Sequence, residues 1–458
     1  MKFNKWTLGL AAVGAVSMAS AVRADEAKLS QVQTALSNTI ISGYVSASAN
    51  WEASPSGGGN SIGGNIPLQG GKANGFNLDV VKLSIAKAQD ETPWAAGYQV
   101  DLLFGPDAVG YNPSANAIGG QHAPAVQGTK NNQVSLPGAD FGILQAYVAL
   151  RTPVGNGIDW KIGQFNTVIG YESFDAASNP NFTRSWGWAV EPTTHTGILG
   201  SYKVNDELSF SAGVANTLMG GINTRNNYKN YKSTSLDGPT LANDGAWSKT
   251  LMGSVTFTAP SNWGWASGSA FSAGLVYGFN NAYQSAFSSA TPPAIPAGSS
   301  GGDQGNYYVG ATLNSPWKDV TFGACFDYVQ NVNGGSGIEG FHANDYIAGL
   351  YNTIKAMDKL SFNSRAEYWE IDAMTSHEVG SYSGISLTET VEYDLWANVV
   401  SRVEFRADQV MTGSQAALVN SNVEGFNGPF NGGYFTPTGV AVNQRTSYGV
   451  YANVVYKF

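Results

Sequence analysis

The links between apolar stretches constrain the fold of this chain more than any other feature of its sequence. Seven short links alternate strictly with eight long links that are rich in Gly, Asn, Ser and Pro. Between them lie stretches of about ten residues in which apolar and polar side chains alternate, the period of a β-strand with two different faces. The short links are 89–94, 152–157, 205–206, 260–266, 315–319, 356–359 and 395–399, and the long links are approximately 53–73, 105–138, 166–194, 218–248, 280–305, 331–343, 371–384 and 409–446.

This pattern of links predicts an all-β fold in which eight hairpins supply about sixteen antiparallel strands. Short turns then share one end of the structure and long loops share the other, as in transmembrane β-barrels with short periplasmic turns and long external loops. A closed barrel also pairs every backbone N–H and C=O within the protein, which a lipid environment requires. We therefore predict an up-and-down transmembrane β-barrel over residues 39–458.

Residues 1–24 have the features of a secretory signal peptide. Two lysines precede an apolar run over 6–18, and this run is too short to span a membrane as a helix. Small residues follow, and cleavage after Ala21 and cleavage after Ala24 both fit the pattern. Residues 25–38 would then form a short periplasmic lead before the barrel. The alternative is an N-terminal anchor that is retained.

The composition fits a protein whose surface does not face only water. Charged residues make up 12% of the chain, about half of the usual fraction in soluble proteins, and there are 56 Gly, 22 Tyr, 21 Phe and 12 Trp. The net charge of -9 argues against nucleic acid as a partner, because phosphates require clustered Lys and Arg. The single cysteine, Cys325, excludes an intrachain disulfide framework and a cysteine metal cluster.

Tryptophans recur at the predicted turn end of the barrel. Their amphipathic rings favour the lipid headgroup level, so a set at one end of successive hairpins indicates a girdle at the membrane interface. For any one of them, an ordinary core position is the alternative. The six residues are Trp94, Trp160, Trp263, Trp265, Trp317 and Trp396.

The chain ends in TSYGVYANVVYKF, a stretch that alternates and finishes on an aromatic residue, Phe458. This ending looks like the C-terminal signature by which the barrel-assembly machinery recognises outer-membrane barrels. The alternate positions that share the side of Phe458 are then predicted to face lipid. An edge strand that happens to end a soluble domain is the alternative.

One segment of the sequence resembles a known family. Residues 161–204 read KIGQFNTVIGYESFDAASNPNFTRSWGWAVEPTTHTGILGSYKV, and the resemblance continues in VEYDLWANVVSRVEFRAD, 391–408, and in Phe458. The matching elements are Gly163-Gln164-Phe165, Asn179-Pro180-Asn181-Phe182 with Arg184-Ser185, Glu191-Pro192 and His195-Thr196-Gly197. This pattern resembles the OmpL-like β-barrel porin family. The resemblance implies an outer-membrane pore and says little about the solute.

Charged residues alternate with apolar ones on two predicted strands near the C-terminus. Four charges facing hydrocarbon would be costly, about 2–4 kcal/mol for each basic group at mid-depth, so they are expected to face the lumen. Such a mixed wall would orient polar solutes, although pairing across strands that only stabilises the wall is the alternative. Glu389 falls on the predicted lipid face. The predicted lumen residues are Arg365, Glu367, Arg402, Glu404, Arg406 and Asp408, with Thr388, Thr390, Glu392 and Asp394 on the strand between.

The third long link, 166–194, contains most of the family-like segment. In general porins the third external loop folds inward and narrows the pore, so the resemblance implies a constriction here. By this analogy we predict Arg184 together with Glu172 or Asp175 as constriction residues. A loop that packs on the wall or stays outside is the alternative.

The sequence favours a passive porin for small hydrophilic solutes or ions, lying in the outer membrane of a Gram-negative-type bacterium. A barrel whose external loops bind surfaces or carbohydrate is the second hypothesis, and a soluble exported β protein is the third. The second hypothesis draws on Trp186, Trp188, Trp247, Tyr228 and Tyr231. The four histidines are scattered and no nucleophile elbow is recognisable, so we expect neither an enzyme nor a cofactor or metal. The expected partners are outer-membrane lipid and the barrel-assembly machinery. A homotrimer is permitted, but the sequence marks no interface.

Overall fold

A computed structural model describes residues 32–33, 38–52, 68–69, 72, 74–111, 141–218, 249–281, 302–333, 341–374, 379–412 and 446–458. The predicted signal peptide and most of the predicted lead lie outside these residues. Cleavage after Ala21 or Ala24 therefore stays a prediction.

Sixteen antiparallel strands close into one barrel. The last strand completes the ring by pairing with the first, with Val455 opposite Ser46. The strands are β1 (Ile40–Glu52), β2 (Gly75–Lys87), β3 (Ala96–Phe104), β4 (Phe141–Thr152), β5 (Ile158–Asn166), β6 (Thr194–Lys203), β7 (Leu208–Ala215), β8 (Thr250–Thr258), β9 (Ala270–Asn281), β10 (Gly302–Asn314), β11 (Val320–Asn333), β12 (Phe341–Met357), β13 (Leu360–Met374), β14 (Val379–Trp396), β15 (Val399–Thr412) and β16 (Thr446–Lys457). The predicted fold is confirmed.

Little helix accompanies the barrel in the described residues. Two short helices, α1 (Pro106–Tyr111) and α2 (Trp186–Val190), lie in long links, and a 3₁₀ turn spans Ser261–Ala266. None of the described helices has the length and apolar character needed to cross a membrane. A two-residue strand, Val32–Gln33, pairs with the start of β1.

The short and long links alternate as predicted, but two of the predicted long links are shorter than predicted. The link between β13 and β14 covers only 375–378 instead of 371–384, and the link between β11 and β12 covers 334–340 instead of 331–343. Asp372 pairs with Ser381 and Met374 with Val379 in the longer ladder. Polar side chains suggested a loop here, whereas the ladder is made by backbone groups that any of these residues supplies.

The outer face of the barrel carries the apolar half of each strand. Tyr448, Val450, Val454 and Tyr456 of β16 are 41–49% exposed, while the residues between them are buried or nearly so. Five of the six turn-end tryptophans are 51–74% exposed, and Trp160 instead donates to the Thr152 hydroxyl. The alternation in the sequence thus separates a lipid-type exterior from a polar interior.

Two details of the exterior follow from close packing and hydrogen bonding. Gly43 and Phe458 exchange backbone hydrogen bonds of 2.9 Å, and a Cβ on Gly43 would lie 2.7 Å from the Phe458 ring and 2.2 Å from the Lys82 carbonyl oxygen. Glu389 faces outward, as its place in the alternation predicts. Its carboxylate accepts a hydrogen bond from the Ser364 hydroxyl on β13 at 2.7 Å.

Candidate functional site

The candidate site is the interior of the barrel, where the long link 167–193 packs against the wall. We call this segment the inner loop. It joins β5 to β6 and contains α2. Its contacts reach both β13–β15 and the opposite side of the barrel, so it crosses the lumen rather than lying outside it.

Glu404 of β15 holds the middle of the inner loop. Its carboxylate accepts the backbone N–H groups of Phe182 at 2.5 Å and Thr183 at 3.0 Å, together with the Thr183 hydroxyl. Thr390 of β14 donates a further hydrogen bond at 2.8 Å. The Glu404 carboxylate is fully buried, and these four hydrogen bonds compensate its loss of hydration. A hydrogen bond to a charged acceptor is stronger than one between neutral groups. The loop backbone is thereby tied to the wall.

Arg365 of β13 binds the same part of the loop from the neighbouring strand. Its guanidinium contacts the Glu172 carboxylate at 2.8 Å and donates to the Thr183 carbonyl at 2.7 Å. Glu367, two residues along β13, lies 2.9 Å from the Arg365 Nε and accepts the Trp186 backbone N–H at 2.6 Å. A buried cation is therefore shared between one acid of the loop and one acid of the wall.

Two further arginines divide their donors between wall carboxylates and loop carbonyls. Arg402 contacts Glu392 at 2.9 Å and donates to the Ala176 and Asn179 carbonyls, each at 2.8 Å. Arg406 forms a bidentate pair with Asp408, with both distances 2.9 Å, and donates to the Arg184 carbonyl at 2.6 Å. Loop carbonyls that would otherwise be buried without partners are satisfied in this way.

Trp186 begins α2 and is the largest buried side chain of the inner loop. Its indole N–H donates to Ser386 at 2.7 Å and to Asp408 at 3.0 Å. The Arg406 guanidinium lies 5.3 Å from the centre of the Trp186 ring, a distance at which a cation and an aromatic face attract. Ser185 caps the short helix by accepting the Trp188 backbone N–H at 3.0 Å. Trp186 is therefore inside the barrel, so the expectation that it serves an external binding surface is wrong.

The side chains of Arg184 and Asp175 bond to groups other than the β13–β15 anchors, although the Arg184 carbonyl accepts from Arg406. The Arg184 guanidinium donates to the Phe174 carbonyl at 2.7 Å and the Phe182 carbonyl at 3.1 Å. Burial lowers the pKa of Arg184, which Glu172 partly opposes. Asp175 is bound by Lys82 of β2 at 2.7 Å, and about a third of its side chain remains exposed.

The start of the inner loop makes an apolar seal with the other side of the lumen. Ile169 and Tyr171 pack among buried residues of β5–β12, and the Tyr171 ring stacks on Tyr351 with 4.1 Å between ring centres. The seal also contains Phe165, Leu199, Ala215, Leu218, Met252, Val276, Tyr308 and Cys325. The loop thus joins an apolar wall on one side to a charged wall on the other.

The end of the inner loop rests on a pair of acids. The Glu191 carboxyl lies beside the Asp327 carboxyl of β11, and the Val190 carbonyl accepts the Asn306 amide at 2.7 Å. Burial, together with the Asp327 carboxylate, raises the pKa of Glu191 well above its usual value. A Cβ on Gly187 would come within 2.8 Å of Asp327 Oδ2, so the pair is closely covered by the loop.

The structure brings all eight residues predicted for the site into one region. Glu172, Asp175 and Arg184 lie on the inner loop, and Arg365, Glu367, Arg402, Glu404 and Arg406 are buried on the lumen side of the wall. That they line a solvated constriction stays a prediction.

Sequence reasoning missed Lys82, Asp327 and Trp186 as loop contacts. Single charges on otherwise apolar alternating strands were the available signal for Lys82 and Asp327. The loop residues Tyr228, Tyr231 and Trp247 lie outside the described residues.

Solved outer-membrane channels share this fold. The anion-selective porin from Comamonas acidovorans aligns with a TM-score of 0.51 and 10% identity, over 92% of this chain and 99% of that protein. The channel DcaP of Acinetobacter baumannii aligns with a TM-score of 0.51 and 12% identity, over 94% of this chain and 100% of that protein. OmpF of Salmonella typhi, solved with daunomycin, aligns with a TM-score of 0.50 and 9% identity, over 92% of this chain and 97% of that protein. At these identities the likeness shows the fold alone.

A family model identifies the chain more specifically. The family described as "Putative beta-barrel porin-2, OmpL-like" matches residues 38–428. No curated protein sequence matches this chain significantly. The fold and the family model together define a porin-type β-barrel of the outer membrane, a channel class rather than an enzyme class. The chain belongs to the OmpL-like β-barrel porin family.

Proposed function

We propose that this barrel is a passive pore through which small hydrophilic solutes or ions diffuse down their gradients. The observation that carries the proposal is a charged lumen wall on β13–β15 that holds a loop inside a sixteen-stranded barrel. A barrel of this size encloses more space than its own side chains fill, unlike an eight-stranded one. An inward loop then limits the size of the solute that passes.

Within this proposal the eight site residues have two roles. Glu172, Asp175 and Arg184 belong to the loop and form the constriction, while the five wall residues are positioning residues that fix the loop. Arg365 supports this division, because its guanidinium contacts Glu172, a loop carbonyl and Glu367. The wall arginines are thus neutralised mainly by wall carboxylates and by Glu172, and solutes meet the loop itself.

The proposal includes the partners of the barrel. The aromatic exterior and the turn-end tryptophans favour outer-membrane lipid, and the outward alternation of β16 ending at Phe458 supports insertion by the barrel-assembly machinery. A homotrimer, as in many general porins, belongs to the same proposal and is tested by the mass of the detergent-purified protein.

Swelling of liposomes that contain the purified protein tests the solute class. Small neutral sugars are expected to enter at rates that fall as the sugar becomes larger, because a constricted aqueous pore sorts by size. Liposomes with heat-unfolded protein serve as the control and should not swell. A folded, heat-modifiable barrel that admits not even a pentose would overturn the proposal.

A further inference from the structure

Lys161 lies on the lumen side of β5, below the inner loop. Its neighbours along the strand, Trp160 and Ile162, point outward, and Ile162 is 43% exposed. The Lys161 ammonium is placed 5.1 Å from the centre of the Tyr147 ring on β4. Lys161 is the fourth residue of β5, which begins at the short turn. Lys161 therefore belongs to the periplasmic half of the lumen.

Lys161 differs from the neighbouring basic groups in its pairing. Lys82 contacts Asp175 at 2.7 Å, and Arg151 contacts Asp159 at 2.7 Å. The three arginines of β13–β15 also contact carboxylates, each at 2.8–2.9 Å. In the described part of the chain, no carboxylate oxygen lies within 4.0 Å of the Lys161 nitrogen.

The two nearby acids that could neutralise Lys161 are already engaged, and one of them, Asp159 of β5, is paired with Arg151 at 2.7 Å. Asp101 of β3 accepts hydrogen bonds from Ser84 at 2.6 Å and Gln145 at 2.7 Å, and Lys82 lies 3.4 Å away. Its charge is therefore spread over several donors on β2 and β4. The positive charge of Lys161 is left for a mobile counter-ion.

The wall beside Lys161 on β6–β9 offers hydroxyl donors, and the acid next to that wall, Asp159 of β5, is paired with Arg151. Strands β6, β7, β8 and β9 contain no Asp or Glu. Ser201, Ser211 and Ser254 stand in one cross-strand row with Asp159, one step nearer the turns than Lys161. The buried Ser201 and Ser211 hydroxyls hydrogen-bond to each other at 2.9 Å, and Ser254 is partly exposed. Thr256 and Ser272 pair in the next row and are partly exposed. A serine or threonine hydroxyl can donate to an anion and adds no charge that would repel it.

The opposite wall cannot supply a comparable negative field. Its carboxylates are bound to arginines and to the inner loop: Glu367 and Glu404 accept loop N–H groups, and Asp408 pairs with Arg406. Charge that is not neutralised locally sets the ion preference of an aqueous pore. Among the described residues, Lys161 contributes an unpaired positive charge on this side of the loop.

We propose that Lys161 and the hydroxyl-lined wall of β6–β9 form a vestibule that attracts small inorganic anions, with Lys161 setting the ion preference of the pore. The inference rests on the proposed function, because ion preference requires conduction. It assigns selectivity to β5 rather than to the charged wall of β13–β15, which positions the loop.

The test is the reversal potential of single channels in a planar bilayer under a potassium chloride gradient. Wild-type protein is compared with Lys161→Gln and Lys161→Glu. Lys318→Gln is the matched control, because it removes the same charge from an exposed turn outside the lumen. Glu389→Gln is a second control, on the outer face of β14.

The wild-type pore and both controls are expected to prefer chloride. Lys161→Gln should lower the chloride-to-potassium permeability ratio about threefold, and Lys161→Glu should lower it further, as expected for one charge at about 5 Å in water. An unchanged ratio in Lys161→Glu would overturn the inference while leaving the pore intact. A folded wild-type barrel that gives no conductance would instead overturn the proposed function and this inference with it.

Discussion

Arg365 of β13 and Glu172 of the inner loop form an ion pair with 2.8 Å between Nη1 and Oε1, and neither side chain is more than 1% exposed. The two residues are 193 positions apart in the chain, so the pair depends on long-range packing of the loop against the wall. It joins the predicted constriction to the predicted wall.

Replacing Glu172 by Gln should loosen the inner loop, because the buried Arg365 then keeps its acid on the wall, Glu367, and loses its acid on the loop. We expect faster cleavage within the loop by a protease that leaves the wild-type loop intact. The double variant Glu172→Gln with Arg365→Met should be less affected than the sum of the single changes, since each single change already breaks the same pair between loop and wall. Strictly additive effects would show that the pair does not couple the loop to the wall.

Glu404→Ala should detach the middle of the inner loop while leaving the barrel folded. The change removes the acceptor of two backbone N–H groups, and hydrogen bonds to a charged group contribute about 1.5–3 kcal/mol each. Hydrogen exchange at Phe182 and Thr183 measures the effect and should increase strongly. Glu389→Gln, which changes an acid on the outer face of β14, is the control and should leave this exchange unchanged.

The attachment of the end of the inner loop is expected to weaken as the pH rises. Glu191 has a raised pKa, so the folded protein binds a proton that the unfolded chain releases above about pH 4.3. Stability from this group is complete below that pH and is lost as the pH rises through the raised value. Hydrogen exchange at residues 187–191, followed from acid to alkaline pH, should show the loss. In Glu191→Gln the pH dependence should disappear; its persistence would assign it to another group.

Gly43→Val should hinder closure of the barrel. A Cβ at this position would meet the Lys82 carbonyl oxygen at 2.2 Å and the Phe458 ring at 2.7 Å, so the first or last strand must shift. We expect a smaller heat-modifiable fraction on electrophoresis after refolding. Gly253→Ala is the control, because its nearest contact would be an ordinary 3.5 Å to the Ser211 carbonyl oxygen. Equal folding of the two variants would contradict this packing argument.

The strand pattern and the ends of the barrel could be predicted because they depend on local alternation. Outward and inward positions repeat every second residue, and the short turns bring tryptophans to one end. The lengths of β13 and β14 could not be predicted from the sequence, since backbone pairing continues across polar residues such as Asp372 and Ser381.

The site was predicted by residue type but not by arrangement. Arg402 and Arg406 were recognised as lumen charges because lipid would not accept them. Their partners on the inner loop are carbonyl oxygens of Ala176, Asn179 and Arg184, which carry no side-chain signal in the sequence. The burial of these arginines follows from long-range packing that the local pattern does not contain.

Single-channel conductance of the detergent-purified barrel in a planar bilayer tests the central claim most directly. The claim is that the β13–β15 wall holds a loop that narrows an open pore. Wild-type protein should give stable, reproducible steps, and Glu404→Ala should give larger or noisier steps because its loop is released. A correctly folded, heat-modifiable barrel without conductance, or equal steps from both proteins, would contradict it.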